Sequence, residues 1–298
     1  MTQAVGVALA IVSSAVGGTA AAVTRYLVTS ADPITLALLR FGIGFFGVLA
    51  AALFFRVRWP QRADWFCVAV LGLSFFGFFF VLYNIAIGYT TAARGSLALS
   101  TLPLQTMLVG ALFGIEPLSR RKTAGVLIAI AGVTLALATG LAHAPPGSWR
   151  GELIMLSAAF CMAAYTVWSR PFIDRSSALG FLTAGMGVGA VALALISAAT
   201  GGLASVAGFG ASEWAAALYL GMGGGTLAFI LWVVALQRAS PTRVANTMTV
   251  NPIAAMLLAA VLVDEAITPN LLFGVGAVFI GIWVATTESK PDKVASTP

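Results

Sequence analysis

The side chains in this chain that could handle a solute are hydroxyls, amides and aromatic rings, and they recur at fixed spacing. Phe76, Phe80 and Tyr83 stand at i, i+4 and i+7, which puts them on one face of a helix. Gly225, Phe229 and Trp232 repeat that stripe 149 residues later. Ser96, Ser100, Pro103 and Met107 form a second stripe, answered by Ala245, Thr249, Pro252 and Met256. Tyr165 and Trp168 stand at i and i+3, and the amides of Asn246 and Asn251 flank the second stripe. Groups of this kind bind a small organic molecule through ring contact and hydrogen bonds. A proline inside a helix frees a backbone carbonyl, tolerated in lipid only where protein or a water-filled cavity satisfies it. The stripes therefore read either as helix packing or as the wall of a cavity, with the hydroxyls beside the prolines favouring the cavity. For Met107 and Met256 packing is an equal reading. Trp168, beside Ser169 and Arg170, fits an interfacial aromatic belt as well as a site, and Tyr165 lies a turn deeper. Asn246 and Asn251 either bridge helices or meet substrate.

The elements that must hold these groups are membrane helices. Residues of the apolar types make up 60% of the chain and charged residues 9%, against about 25% charged in an ordinary globular protein. Polar groups so scarce cannot cover a water-facing surface, so lipid is the solvent. Charges and turn residues punctuate ten apolar stretches: 4–23, 34–55, 65–88, 94–114, 123–142, 152–169, 178–200, 213–236, 243–263 and 268–287. The start of the chain lacks a basic n-region and a clear cleavage site, so its first apolar run reads as a membrane helix. Cys67 and Cys161 sit in apolar stretches and read as packing residues.

Basic residues orient the helices, because cytoplasmic loops retain Lys and Arg. With an inside N-terminus, 12 of the 16 fall in inside loops, Arg25, Arg94 and Arg150 fall outside, and Arg40 lies within a span. Both termini are thereby expected in the cytoplasm. The formal charge of +6 follows from topology and calls for no nucleic acid.

The second half repeats the first at an offset of 149 residues. Leu71 and Gly72 fall on Leu220 and Gly221, Phe80 on Phe229, and Tyr83 on Trp232. Arg94, Ser100, Pro103, Met107 and Glu116 fall on Arg243, Thr249, Pro252, Met256 and Glu265, and Gly125 and Gly132 on Gly274 and Gly281. The first two helices of each half match only loosely. Five helices is an odd number, so the second copy must run upside down, and inverted repeats belong to secondary transporters.

The run from Arg94 through Pro103-Leu104 to Glu116-Pro117, then Gly125 and Gly132, resembles the drug/metabolite transporter superfamily, in particular its ten-helix EamA-type members. Asn251-Pro252-Ile253, Asp264-Glu265, Gly274 and Gly281 carry the same pattern in the second copy. Asp32-Pro33 with Arg40-Phe41 looks like the family's second helix, and Tyr83-Asn84-Ile85-Ala86 like the end of its third. The Phe-rich third helix resembles the YddG-type exporters of aromatic and other neutral amino acids. Val16-Gly17-Gly18 stands where the family usually shows Trp-Gly, a departure in the first helix. The resemblance implies a transporter of small metabolites in the plasma membrane.

No span carries an acidic residue near its middle, so a cationic drug exchanged for a proton on a buried carboxylate is disfavoured. A membrane-embedded enzyme would need clustered ligands or a nucleophile with its base, and the single histidine, His143, has no carboxylate nearby in sequence. A pump would need a GxxxxGK[ST] phosphate loop. A scaffold or receptor is compatible with the composition, but nothing in signalling requires two antiparallel copies. Enzyme and scaffold or receptor stand as the alternatives to transport, and within transport a nucleotide-sugar or drug exporter is the alternative substrate reading.

The expected fold is therefore an all-α integral membrane protein, with ten transmembrane helices as two inverted five-helix repeats around a central cavity. The first repeat is 1–146, the second 147–288, and 289–298 a cytoplasmic tail. The expected partners are a small neutral or zwitterionic substrate and the lipid bilayer, with no cofactor or metal and with the chain acting as a monomer. The expected substrate-binding residues are Phe80, Tyr83, Ser96, Ser100, Met107, Tyr165, Trp168, Phe229, Trp232, Asn246 and Thr249. Arg40, Glu116 and Glu265 are expected to be structural.

Overall fold

The computed structural model describes residues 3–114, 120–139, 145–236, 238 and 247–286. Among the described residues the chain forms helices and no strand. In order these are α1 (Gln3–Leu27), α2 (Pro33–Phe54), α3 in three pieces (Trp65–Gly72, Leu73–Phe79, Phe80–Tyr89) and α4 in two (Ala92–Leu99, Leu102–Leu112). Then come α5 (Arg120–Thr139), α6 (Ser148–Arg175), α7 (Ala178–Ala199), α8 in three pieces (Ala211–Leu218, Tyr219–Leu227, Ala228–Leu236), α9 (Val250–Leu262) and α10 (Pro269–Thr286). Seven of them, α1 to α4 and α6 to α8, are long and apolar enough to cross a bilayer; α9 and α10 contain shorter apolar helices. Bulky apolar side chains such as Phe54 (80% exposed), Phe66 (79%) and Val261 (82%) cover the outside, which fits a multi-pass protein whose solvent is lipid.

Lipid offers no hydrogen bonds, so helix ends are closed by the chain itself. The Asp32 carboxylate accepts from the Ile34 and Thr35 amides at 3.0 and 3.1 Å, with Pro33 in the first turn. Thr91 caps α4 through the Arg94 amide and Ser177 caps α7 through the Gly180 amide. The helices differ from the expected spans chiefly at α6, which runs from Ser148 to Arg175, so Glu152 lies a turn inside a helix that was expected to begin there. The region 243–246, expected to open the ninth span, lies outside the described residues. Cys67 is exposed on α3 and Cys161 is partly buried, so Cys67 takes no part in packing.

Two kinds of irregularity recur in both halves. Leu73–Phe79 in α3 and Tyr219–Leu227 in α8 are π-helical. In α4 the helix breaks at Ser100 and Thr101, whose hydroxyls bond back to the Leu97 and Ala98 carbonyls at 2.7 Å, and Pro103 follows. At the same offset, a 3-10 turn over Thr247–Thr249 leads into α9.

Close approach of backbones joins the halves. A Cβ on Gly72 of α3 would stand 2.5 Å from the Gly185 carbonyl of α7, and a Cβ on Gly44 of α2 would stand 3.0 Å from the Gly221 carbonyl of α8. A Cβ on Gly18 of α1 would meet the Asn251 carbonyl of α9. Small residues are what let membrane helices come this close. Gly185/Gly189 and Gly221/Gly225, each four residues apart on one helix face, serve such contacts. Gly114, by contrast, has φ +67 with nothing near it, and it ends α4 instead. Gly18→Val is expected to destabilise the fold by roughly 1–3 kcal/mol, the usual result of overpacking. The check is thermal unfolding in detergent, where an unchanged melting temperature would contradict the α1–α9 contact.

Candidate functional site

A cavity of about 110 Å³ lies among α1, α2, α3, α4, α6, α8 and α9. Phe75, Phe79, Phe80 and Tyr83 form one wall from α3. Gly224, Ala228, Phe229 and Trp232 form another from α8. Rings pack tightly around it: Phe75 stacks on Phe79 at 5.3 Å between centroids and meets Phe229 edge-on at 6.0 Å. Ser13, Ser14 and Gly17 of α1, Leu99 of α4, Met162 of α6, and Met248 and Asn251 at the start of α9 close the space.

The polar groups of this wall are few. Ser13 Oγ donates to the Ala228 carbonyl at 2.7 Å, and Ser14 Oγ shares a hydrogen bond with Thr247 Oγ1 at 3.0 Å. Arg40, the cation within α2, is only 6% exposed and reaches into the cavity wall. Its Nη2 donates to the Gly224 carbonyl at 3.3 Å, while Nε and Nη1 have no hydrogen-bond partner among the described residues. The guanidinium carbon stands 4.7 Å from the Phe80 ring centroid and 6.0 Å from that of Tyr83. A Cβ on Gly224 would fall 3.2 Å from Arg40 Nη2, so glycine in the π segment is what admits the guanidinium. Asn251 is 9% exposed and its Oδ1 also lacks a partner among the described residues.

The structure brings Phe80, Tyr83, Phe229 and Trp232 together on the cavity. Tyr165 stands behind the wall, stacked on Phe75 at 4.4 Å. Ser96 and Ser100 are buried but outside the lining: Ser100 bonds to Leu97, and Ser96 Oγ has no partner among the described residues. Met107 packs against the core. Trp168 is 42% exposed and meets Phe113 at 4.9 Å, on the outside of the bundle, where the amphipathic ring suits the membrane interface. Thr249 lies in the 3-10 turn before α9, and Asn246 lies outside the described residues. Helical spacing missed Phe75, Phe79 and the α1 serines, and it treated Arg40 as structural. Phe76, placed on the site face by a 3.6-residue period, instead packs against Phe41 and the glycines of α7. The π segment widens the turn, changes the phase of α3, and turns Phe75 and Phe79 inward.

Six pairs of lining residues are separated by the same 149 positions: Ser13 and Met162, Phe75 and Gly224, Phe79 and Ala228, Phe80 and Phe229, Tyr83 and Trp232, Leu99 and Met248. The offset therefore reaches α1 and α6, where the sequences alone match loosely. For α2 and α7 it is 145: the N-caps are Asp32 and Ser177, and Gly44 and Gly189 face the Gly221 and Gly72 carbonyls.

Polar clusters mark the two ends of α6. At its start, Arg94 Nε donates to Glu152 Oε1 at 2.5 Å, with both side chains buried, and the Thr90 hydroxyl lies 3.4 Å from the same oxygen. Nearby, Arg25 approaches Glu265 at 3.5 Å, and Glu265 accepts the Ala92 amide at 3.0 Å. Burial pushes the Glu265 carboxyl above its ordinary value, against the pull of that amide and of Arg25. At the far end, Arg175 grips Asp64 through two bonds of 2.7 and 3.0 Å, which holds the Asp64 carboxyl below its ordinary value. The positions 149 residues from Arg175 and Asp64 are Tyr26 and Glu213, and the Tyr26 hydroxyl lies 3.5 Å from Glu213.

Comparison with known proteins agrees with this architecture. The family described as "EamA-like transporter family" matches the chain twice, over residues 4–138 and 149–287. A protein of Archaeoglobus fulgidus named "Uncharacterized transporter" is 27% identical, over 86% of this chain and 89% of its own. A protein of Streptantibioticus cattleyicolor named "Probable terminal-alkyne amino-acid exporter" is 26% identical, over 81% of this chain and 80% of its own. A solved crystal structure superposes with a TM-score of 0.62 at 23% identity, covering 92% of this chain and 96% of that one, a likeness of fold.

Proposed function

The chain belongs to the EamA-like transporter family, and from that premise we propose that it exports small zwitterionic or neutral metabolites, amino acids foremost, across the plasma membrane by alternating access. The observation that carries this reading is the set of six lining pairs at one offset. A cavity walled by two related, inverted copies can be opened to either face by equivalent movements of the two halves. The copies are 1–146 and 147–288, followed by the cytoplasmic tail 289–298, and the double match of the family supports this division.

The amino-acid class is supported by the name of the Streptantibioticus relative and by the chemistry of the wall. Rings and small apolar groups suit a side chain, while Arg40, Asn251 and the α1 serines suit charged or polar ends. A cavity of about 110 Å³ is a confined space, which favours a small amino acid. A larger, aromatic one requires the ring wall to part.

The ionic clusters favour export. By the distribution of basic residues, Arg94–Glu152 and Arg25–Glu265 lie at the outer face. Their counterparts at the inner face would be Arg243 with Gln3, and Asp174 with Glu116, neither an ion pair by sequence. The inner face carries its own pair, Arg175–Asp64, so the outer end holds two ion pairs against one, and this bias favours a resting protein that receives solute from the cytoplasm. The test is flux from proteoliposomes loaded with a mixed pool of amino acids and other metabolites. Selective release of amino acids is expected, and release no faster than from empty liposomes would overturn the reading.

A further inference from the structure

We propose that Arg40 is the receptor for a carboxylate on the transported solute, an inference that rests on the transport reading above. Arg40 lies eight residues beyond the Asp32 cap, which at 1.5 Å per residue is roughly 12 Å along α2. There it is 6% exposed and borders the cavity. It spends one hydrogen bond on the Gly224 carbonyl, and among the described residues Nε and Nη1 find no partner. The faces of Phe80 and Tyr83 offset part of its charge. A buried, uncompensated cation is still costly, so a guanidinium kept in this state is poised for an anion.

The protein itself does not supply that anion among its described residues. Asp64, Glu152 and Glu265 pair with Arg175, Arg94 and Arg25, and Asp32 and Glu213 cap helices. Asp174 and Asp264 are exposed. The guanidinium fork matches a carboxylate with two parallel N–H bonds, and such charge-assisted bonds are the strong ones.

The repeat sharpens the argument. Paired residues build the walls of the cavity, but Arg40 and Asn251 have no polar twin: the equivalent positions are Gly185 on α7 and Leu102 on α4. The polarity of the cavity is therefore one-sided. Asn251 Oδ1, also unpartnered, is an acceptor available to an ammonium group. Its side chain has room because Gly17 faces it, where a Cβ would stand 3.0 Å from Nδ2. A solute bearing a carboxylate, an ammonium group and a compact apolar body fills all three kinds of wall.

The experiment loads proteoliposomes of the full-length protein with alanine, leucine and phenylalanine together with their α-amides, and follows efflux by mass spectrometry. The amides keep the ammonium group and the side chain but lack the carboxylate. Wild-type protein is expected to release the acids about tenfold faster than the amides or more, the scale of one lost bond to a charged group. Arg40→Gln is expected to remove that preference by slowing the acids, and Arg40→Lys to retain part of it. The wild-type comparison stands even if Arg40→Gln does not fold. Equal efflux of acids and amides, or an Arg40→Gln protein that still prefers acids, overturns the inference and leaves the transport reading intact. Wild-type protein that releases neither overturns the transport reading, and the inference with it.

Discussion

Replacing Arg94 by Ala is expected to cost about 3–5 kcal/mol of stability, the range for stranding one member of a buried ion pair. The side chains of Arg94 and Glu152 are 5% and 8% exposed and their charged atoms touch. Without the guanidinium, Glu152 keeps among the described residues the Thr90 hydroxyl alone, 3.4 Å away and a weak substitute for a full charge. Against a total stability of roughly 5–15 kcal/mol, such a loss should be plain as a lower melting temperature and reduced folded yield in detergent. The double variant Arg94→Leu/Glu152→Leu is expected to recover most of it, since apolar replacements of a buried pair are often neutral or better. A single variant that melts like the wild type would mean that the carboxylate is solvated and the pair is no latch. The functional corollary concerns access. With its outer latch removed, the double variant should leave the cavity open outward more often. A Ser14→Cys probe in a Cys67→Ser, Cys161→Ser background should then react faster with an impermeant thiol reagent from outside.

Much of this architecture was legible because lipid simplifies the code: apolar runs of bilayer length are helices, and a fixed offset between halves survives as matched Gly, Pro and charge. Pairs such as Tyr83 and Trp232 could be placed on that offset alone, and both reach the cavity. What could not be read was phase. A π turn leaves no mark in composition, yet it moves Phe75 and Phe79 into the wall and sends Phe76 to the interface with α7. Ser96 and Ser100 failed for a related reason. A helix break lets a hydroxyl satisfy its own backbone, as Ser100 does at Leu97, so a polar residue beside a break need not face a solute. Arg40 shows the remaining limit. A lone charge in a span is functional or structural according to what surrounds it, and its surroundings come from α3 and α8, far away in sequence.

Transport is expected to run down the solute gradient without an obligatory proton cycle. The cavity contains no carboxylate among its lining residues. The described acids that are buried or half-buried serve as caps or ion-pair partners at helix ends. A proton-coupled carrier needs a carboxyl that is exposed to each face in turn and that changes protonation with the solute. Glu265 is the described carboxyl best suited to titrate, because burial raises its affinity for a proton. The sign is informative. As external pH falls, Glu265 would protonate before an ordinary glutamate, weakening its hold on Arg25 and the Ala92 amide and so loosening the outer face. That makes external acidity a modulator of opening rather than a driving force. The measurement is uptake of a radiolabelled neutral amino acid into proteoliposomes at equal pH on both sides, with and without an imposed proton gradient, for wild type and Glu265→Gln. Uptake at equal pH is expected from both proteins, with any response to external pH lost in Glu265→Gln. Flux that vanishes unless protons flow the other way would sink the idea, and loss of that coupling in Glu265→Gln would make Glu265 the proton carrier.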